Sequence, residues 1–288
     1  MIVEGIELDS PFYDRICSAS EKIKDAGYQI WLAQQIKDDT TNATAGGKKS
    51  VLAHYDYFKS QNKLSFCPSN GERRSIAFMV DRDNDDISGG RRRSPHVIYT
   101  EMCDVEAEVF IRGNDSEALS QALSLDSRSA DHLAYTLGDW ITQLSVIWRD
   151  WITWCCIAKA TGSRCGVGFG RESQINASKY GPVDPKELSA AIAEVTKAAT
   201  CDSREVAAKR KRIEQTIGVR HTQGRGASTV KGKWLPFYLL YCIEVYFETN
   251  PYSVKGFLTF AAKAYLGSVD FRDGWVKYYQ LKLEAVLT

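Results

Sequence analysis

The sequence predicts an α/β fold: a small, mostly parallel sheet with flanking helices, followed by an all-helical C-terminal domain. Two observations carry this. Before about residue 113, short β-branched or apolar runs alternate with stretches of helical period, the pattern of successive βαβ units. After it, nearly every segment repeats its apolar residues at helical spacing. The expected domains are 1–112 and 113–288, and a chain of 288 residues can bury a sizeable core without disulfide staples.

Strands are expected at Ile2-Val3, Tyr28–Leu32, Ser75–Val80 and His96–Thr100. A helix over 12–26 has Tyr13, Ile16, Ala19 and Ile23 on one face. A second, over 50–61, is opened by Gly46-Gly47 and carries Val51, Leu52, Tyr55 and Phe58. The last strand leads into a helix over 103–110. Helices follow over 116–125, 140–159, 185–200 (with Asp184 as N-cap), 233–247, 254–266 and 275–286. The glycine-rich stretches 162–170 and 222–232 read as loops, the second as a flexible clamp. Trp148, Trp151 and Trp154 are expected in the helical core rather than on a base-stacking platform.

Lysine plus arginine (37) nearly cancels aspartate plus glutamate (36), leaving +1. That excludes a globally basic nucleic-acid coater and leaves room for local basic patches. The eight cysteines form no C-x-x-C pair and read as reduced thiols, which argues against a zinc site or disulfide framework. The richest apolar stretch, 140–158, is interrupted by Arg149 and Asp150, so no membrane span is expected and a cytoplasmic location is. Gly46-Gly47-Lys48-Lys49-Ser50 lacks Walker spacing, so the chain is not expected to hydrolyse ATP.

The acids fall at strand exits. Glu4 follows the first strand, Asp81 and Asp83 the third, and Asp104 and Glu106 the fourth. In a parallel sheet these exits share one edge, where ligands bind. Like charge gathered so densely asks for a cation, and oxygen-rich sites suit Mg²⁺, with Mn²⁺ as a substitute. Metal-assisted phosphodiester hydrolysis is the matching chemistry. An EF-hand beginning at Asp81 fails, because Asp86 and Arg92 stand where Gly and Glu are needed. Taken singly, Asp85, Asp86 and Asp104 are equally well read as turn or capping residues.

In order, Val3-Glu4-Gly5, Gly46-Gly47-Lys48-Lys49, Val80-Asp81-Arg82-Asp83 and Cys103-Asp104-Val105-Glu106 resemble the motifs of TOPRIM nucleases of the OLD-associated type. The nearest resemblance is to the effectors of PARIS phage-defence systems. It covers roughly residues 1–112 by motif, and the helical half only by character and by Lys231-Gly232-Lys233-Trp234. It implies a Mg²⁺-dependent nuclease of bacterial antiviral defence that cleaves tRNA, or alternatively DNA. It also implies a partner ATPase that holds the nuclease until a trigger releases it, and a homodimer when active. Glu4, Asp81 and Asp83 would be catalytic and metal-binding, with Asp9, Asp104 and Glu106 completing a second metal position. Asp9 lies one residue later than the family places its second acid, and Glu7 is its rival. The alternative is a catalytically idle TOPRIM scaffold that binds an ATPase and senses a trigger.

A nuclease also needs cations for phosphates. Arg91, Arg92 and Arg93 lie on a Gly-Gly loop ten residues after Asp81. Lys209, Arg210, Lys211 and Arg212 lead toward Lys231 and Lys233, either of which would serve as a transition-state cation.

Overall fold

A computed structural model describes residues 1–5, 7–36, 46–68, 71–170, 181–247 and 254–287. The protein is α/β and mostly helical, with one four-stranded sheet in which every pairing is parallel. Contacts divide the chain into two compact units. The first comprises 1–82, 92–105 and 269–288, and the second 83–91 and 106–268. The division therefore differs from the expected break at 112/113. The last twenty residues group with the unit that holds the sheet, where Phe271, Trp275 and Tyr279 pack against Phe12, and the acidic run after Arg82 groups with the helices.

In the first unit the strands are β1 (Ile2–Val3), β2 (Trp31–Leu32), β5 (Phe78–Val80) and β6 (Val97–Tyr99), in the order β2-β1-β5-β6. β1, β5 and β6 are buried along their whole length, as parallel strands covered on both faces are, and read as unbroken apolar runs; in β2 Leu32 is buried and Trp31 exposed. Ile2 aligns with Trp31 on one side and Phe78 on the other, and Phe78 with Val97. One face, carrying Ile2, Phe78, Val80, Val97 and Tyr99, packs with Val51 and Tyr55 of α3 (Lys48–Ser60). By alternation Val3, Met79 and Ile98 point the other way, and all three are buried. A separate antiparallel pair joins β3 (Ser65–Phe66) to β4 (Arg74–Ser75), so the start of the expected Ser75–Val80 strand belongs to a hairpin.

The helix expected over 12–26 is two: α1 (Asp9–Ser18) and α2 (Glu21–Ala26). Ser20, in an extended conformation, accepts the Ile23 N–H and caps α2, a local competition that apolar periodicity does not register. Phe12 and Tyr13 of α1 make edge contacts with Tyr279 of α14 (Lys277–Leu287), and Phe12 stacks with Trp275. The Tyr278 hydroxyl donates to the Tyr99 carbonyl oxygen at 2.9 Å, and the Glu101 N–H to the Tyr279 hydroxyl at 3.0 Å. Those two bonds fasten α14 to the exit of β6.

The second unit holds α4 (Asp85–Ser88), α5 (Val105–Arg112, from Glu106 on), α6 (Asp115–Leu123), α7 (Ser127–Leu137), α8 (Trp140–Ile147), α9 (Arg149–Thr161), α10 (Pro185–Ala198), α11 (Ser203–Thr222), α12 (Leu235–Phe247) and α13 (Val254–Ser268). Asp184 caps α10 through the N–H groups of Lys186 and Glu187. The helix expected over 140–159 breaks at Trp148, whose buried indole contacts Trp234 and donates to the Gly181 carbonyl oxygen at 3.0 Å. Trp148, Trp151 and Trp154 are all buried, as expected of core residues.

The 222–232 segment corrects the flexible-clamp expectation. It contains a 3₁₀ turn at Gly226–Thr229, and Gly226, Ser228, Thr229, Val230 and Gly232 are buried. Gly226 packs so closely that a Cβ there would lie 2.7 Å from the His221 ring and 2.8 Å from the Ser145 hydroxyl. Small residues serve close packing here, not freedom. Among the described residues no helix is long and apolar enough to cross a membrane.

Candidate functional site

The order β2-β1-β5-β6 makes the chain reverse direction across the sheet between β1 and β5. Such a switch point opens a crevice at the carboxyl ends of the strands. Glu4 leaves β1 there and Asp81 leaves β5. The register that aligns Ile2 with Phe78 brings Glu4 level with Val80, next to Asp81. The Asp81 N–H donates to Glu4 Oε1 at 2.8 Å, joining residues 77 apart in sequence.

The neighbouring groups hold this arrangement through backbone atoms. Asp81 Oδ1 accepts the N–H of Val105 at 3.2 Å, satisfying a donor at the start of α5. Lys48 Nζ donates to the Asp81 carbonyl oxygen at 2.6 Å and lies over the Tyr99 ring, 5.6 Å from its centroid. The Gly47 N–H donates to the Glu4 carbonyl oxygen at 3.4 Å. Gly47 has φ 87°, which a residue with a Cβ rarely adopts. The Arg82 N–H donates to Thr100 Oγ1 at 2.9 Å, and its guanidinium to the Glu101 carbonyl oxygen at 2.5 Å.

Of the rival acids, Asp9 turns back to the exit of β1: its Oδ2 accepts the Gly5 N–H at 2.7 Å. Glu7 is exposed. Asp104 is 1% exposed and Glu106 half-buried at the first turn of α5.

Asp83 opens the run 83–86, which is fastened within the helical unit. Asp83 and Asn84 both have left-handed backbones, with φ 47° and 57°. Asp83 Oδ1 lies 3.1 Å from Lys231 Nζ, Asp85 pairs with Lys159, and Asp86 pairs with Arg220. Asn84 donates to the Thr229 carbonyl oxygen at 2.8 Å. Three cations from distant parts of the chain thus answer three successive acids. Sequence reasoning missed Lys159 because it sits in an apolar helix with no local acidic partner. Lys48 stands in the motif Gly46-Gly47-Lys48-Lys49, but the sequence reading assigned it no role at the site.

The basic residues divide by partner. Arg91, Arg92 and Arg93 are exposed, and Arg92 grips Asp56 at 2.6 and 2.9 Å. In α11, Lys209 pairs with Glu205 and Arg210 with Glu214, while the Arg210 guanidinium stacks over Trp154 at 5.1 Å. Lys211 is exposed, and Arg212 donates to the Ile87 carbonyl oxygen at 3.4 Å. Lys233 is exposed. Half of the α11 run is therefore engaged in intrahelical pairs, which reduces the charge it offers a phosphate backbone.

Glu4 and Asp81 offer oxygen donors alone, the set hard divalent cations prefer. Glu4 Oε1 and Asp81 Oδ1 each accept a main-chain N–H, which fixes where those oxygens lie. The pair fits a Mg²⁺ or Mn²⁺ ion chemically. Comparison with protein-family models, with curated proteins and with solved structures finds no match for this chain.

Proposed function

We propose that the chain is a metal-dependent nuclease built on a TOPRIM-like sheet, with Glu4 and Asp81 as its central acids. The observation that carries the reading is the hydrogen bond of the Asp81 N–H to Glu4 Oε1, which pairs two carboxylate residues at the switch point of a parallel sheet. Glu4, Asp81 and Asp83 would hold the metal, with Asp9, Asp104 and Glu106 as further acids. A divalent ion bound there supplies charge stabilisation at a phosphodiester and an activated water. The residues' own part is to hold oxygen donors in a fixed geometry; Arg91, Arg92, Arg93, Lys211 and Lys233 present exposed charge for the nucleic-acid backbone. The resemblance to PARIS effectors makes tRNA the first substrate to try and DNA the second. It also supplies the antiviral role, the partner ATPase and the active homodimer as parts of the same proposal.

Inducible expression in bacteria, comparing wild type with Glu4→Ala, tests it. The expected result is growth arrest with discrete tRNA or DNA breaks in the wild type alone. Toxicity that persists in Glu4→Ala overturns the role of Glu4.

One observation favours the idle-scaffold reading: Asp83 is engaged by Lys231 rather than presented alone. On that reading, purified wild-type protein with Mg²⁺ and released from any partner leaves tRNA and DNA intact.

A further inference from the structure

Three hydrogen bonds close a ring around the candidate site. The Asp81 N–H donates to the Glu4 carboxylate, the Gly47 N–H to the Glu4 main-chain carbonyl, and Lys48 Nζ to the Asp81 main-chain carbonyl. Gly47 and Lys48 are adjacent, so the N-terminus of α3 holds both acid-bearing strand exits at once. Little room is left for the ring to shift: a Cβ on Gly46 would lie 3.2 Å from Gln34 Oε1 and 3.5 Å from the Glu4 carbonyl oxygen. The Lys48 ammonium also reaches the Arg82 carbonyl oxygen at 3.5 Å and rests over the ring of Tyr99, which is buried in the core of the sheet. Its position is thus set from three sides.

We infer that Lys48 is a positioning residue for the Glu4–Asp81 pair, fixing the β5 exit so that the two carboxylates meet in a single geometry. The inference rests on the metal-site reading of that pair. Two carboxylate residues brought together repel, and a strand exit without further restraint relaxes by rotating the Asp81 peptide away from Glu4. Lys48 opposes that rotation by holding the carbonyl of the residue whose N–H faces Glu4. A lysine does this better than a neutral donor, because its positive charge also offsets the repulsion between the two acids.

The test is Mn²⁺ binding to the purified full-length chain, followed by electron paramagnetic resonance, for wild type, K48M, K48R and E4A. Loss of a group that orients metal ligands is expected to weaken Mn²⁺ binding by about tenfold or more in K48M. K48R, which retains charge and donors, is expected to restore most of that affinity, a recovery that a mere packing role would not produce. K48M binding as tightly as wild type, or more tightly, overturns the inference. If E4A loses binding while K48M does not, the metal site stands and only the role of Lys48 falls. If neither variant alters binding, the metal-site reading falls and takes the inference with it. Should K48M fail to fold, K48R decides: binding below about a tenth of wild type overturns the inference, and near-wild-type binding supports it.

Discussion

Lys231 Nζ lies 3.1 Å from Asp83 Oδ1 across 148 residues of sequence. Both side chains are about one-fifth exposed, so solvent screens the pair and holds its coupling to about 1 kcal/mol or less. The nuclease reading counts Asp83 among the ligands, which sets the ion pair and a metal in competition for one carboxylate. Lys231→Met is therefore expected to tighten Mn²⁺ binding by about fivefold, the equivalent of that coupling. Calorimetric titration of the two proteins checks it, and weaker binding in the variant would count against Asp83 as a ligand.

Asp85 and Lys159 make a more demanding pair. The Asp85 side chain is 4% exposed and that of Lys159 38%. Lys159→Met leaves a buried carboxylate short of its cation. Discounted for the exposure of the lysine, the expected loss is about 1–3 kcal/mol in urea unfolding. Adding Asp85→Asn should recover part of it, since the second change removes the charge. A double variant less stable than Lys159→Met alone would contradict this account.

Asp115 is half-buried where α6, α8 and α13 meet. It accepts from the Tyr265 hydroxyl at 2.6 Å and from Trp140 Nε1 at 3.3 Å. Burial raises its pKa above 3.8 despite both donors. A carboxyl group with a raised folded pKa stabilises the fold fully below the unfolded value, and that contribution is lost as pH rises through the folded one. Asp115→Asn keeps an acceptor and removes the charge. It is expected to match or exceed wild-type stability at neutral pH and lose that advantage near pH 3.8. Asp115→Ala strands both donors and should cost about 1–3 kcal/mol. Thermal unfolding of both variants across pH checks the sign.

His221 runs the opposite way. Burial, and then the charge of Arg149, lower its pKa below 6.5. The fold favours the neutral ring, so this contribution is present above pH 6.5 and is lost as pH falls through the folded pKa. His221→Gln is expected to flatten the acid side of the stability profile. The residue packed against it supplies a second check. Gly226→Ala forces a Cβ onto the His221 ring and the Ser145 hydroxyl and should cost about 1–3 kcal/mol.

The sheet was legible because each buried parallel strand is an apolar run, and because Glu4 and Asp81 stand directly after two of them. The adjacency of those two acids followed from strand order, which sequence supplied only as a rule of thumb for parallel sheets. Other features were hidden for identifiable reasons. Helix α11 buries only Ile213 and Ile217 in twenty residues, so its apolar stripe is too thin to stand out, although Asp202 caps it through Glu205. Helix α7 is capped in the same way by Asp126. The breaks at Ser20 and Trp148 lie inside continuous apolar periods, where a capping hydroxyl or a buried indole outweighs the local pattern. The partners of Asp83, Asp85 and Asp86 are at least 74 residues away, beyond the reach of any spacing argument.

Strand β1 has only two residues, yet it pairs on both sides. A displacement of a single residue would put Val3 or Gly5, neither of them acidic, opposite the N–H that now meets Glu4. What prevents the slip is a pair of 2.8 Å main-chain bonds: the Ile2 N–H to the Ala77 carbonyl oxygen and the Trp31 N–H to that of Met1. The first acid of the site is therefore chosen by the reading frame of the sheet, and that frame is kept by residues that carry no chemistry of their own.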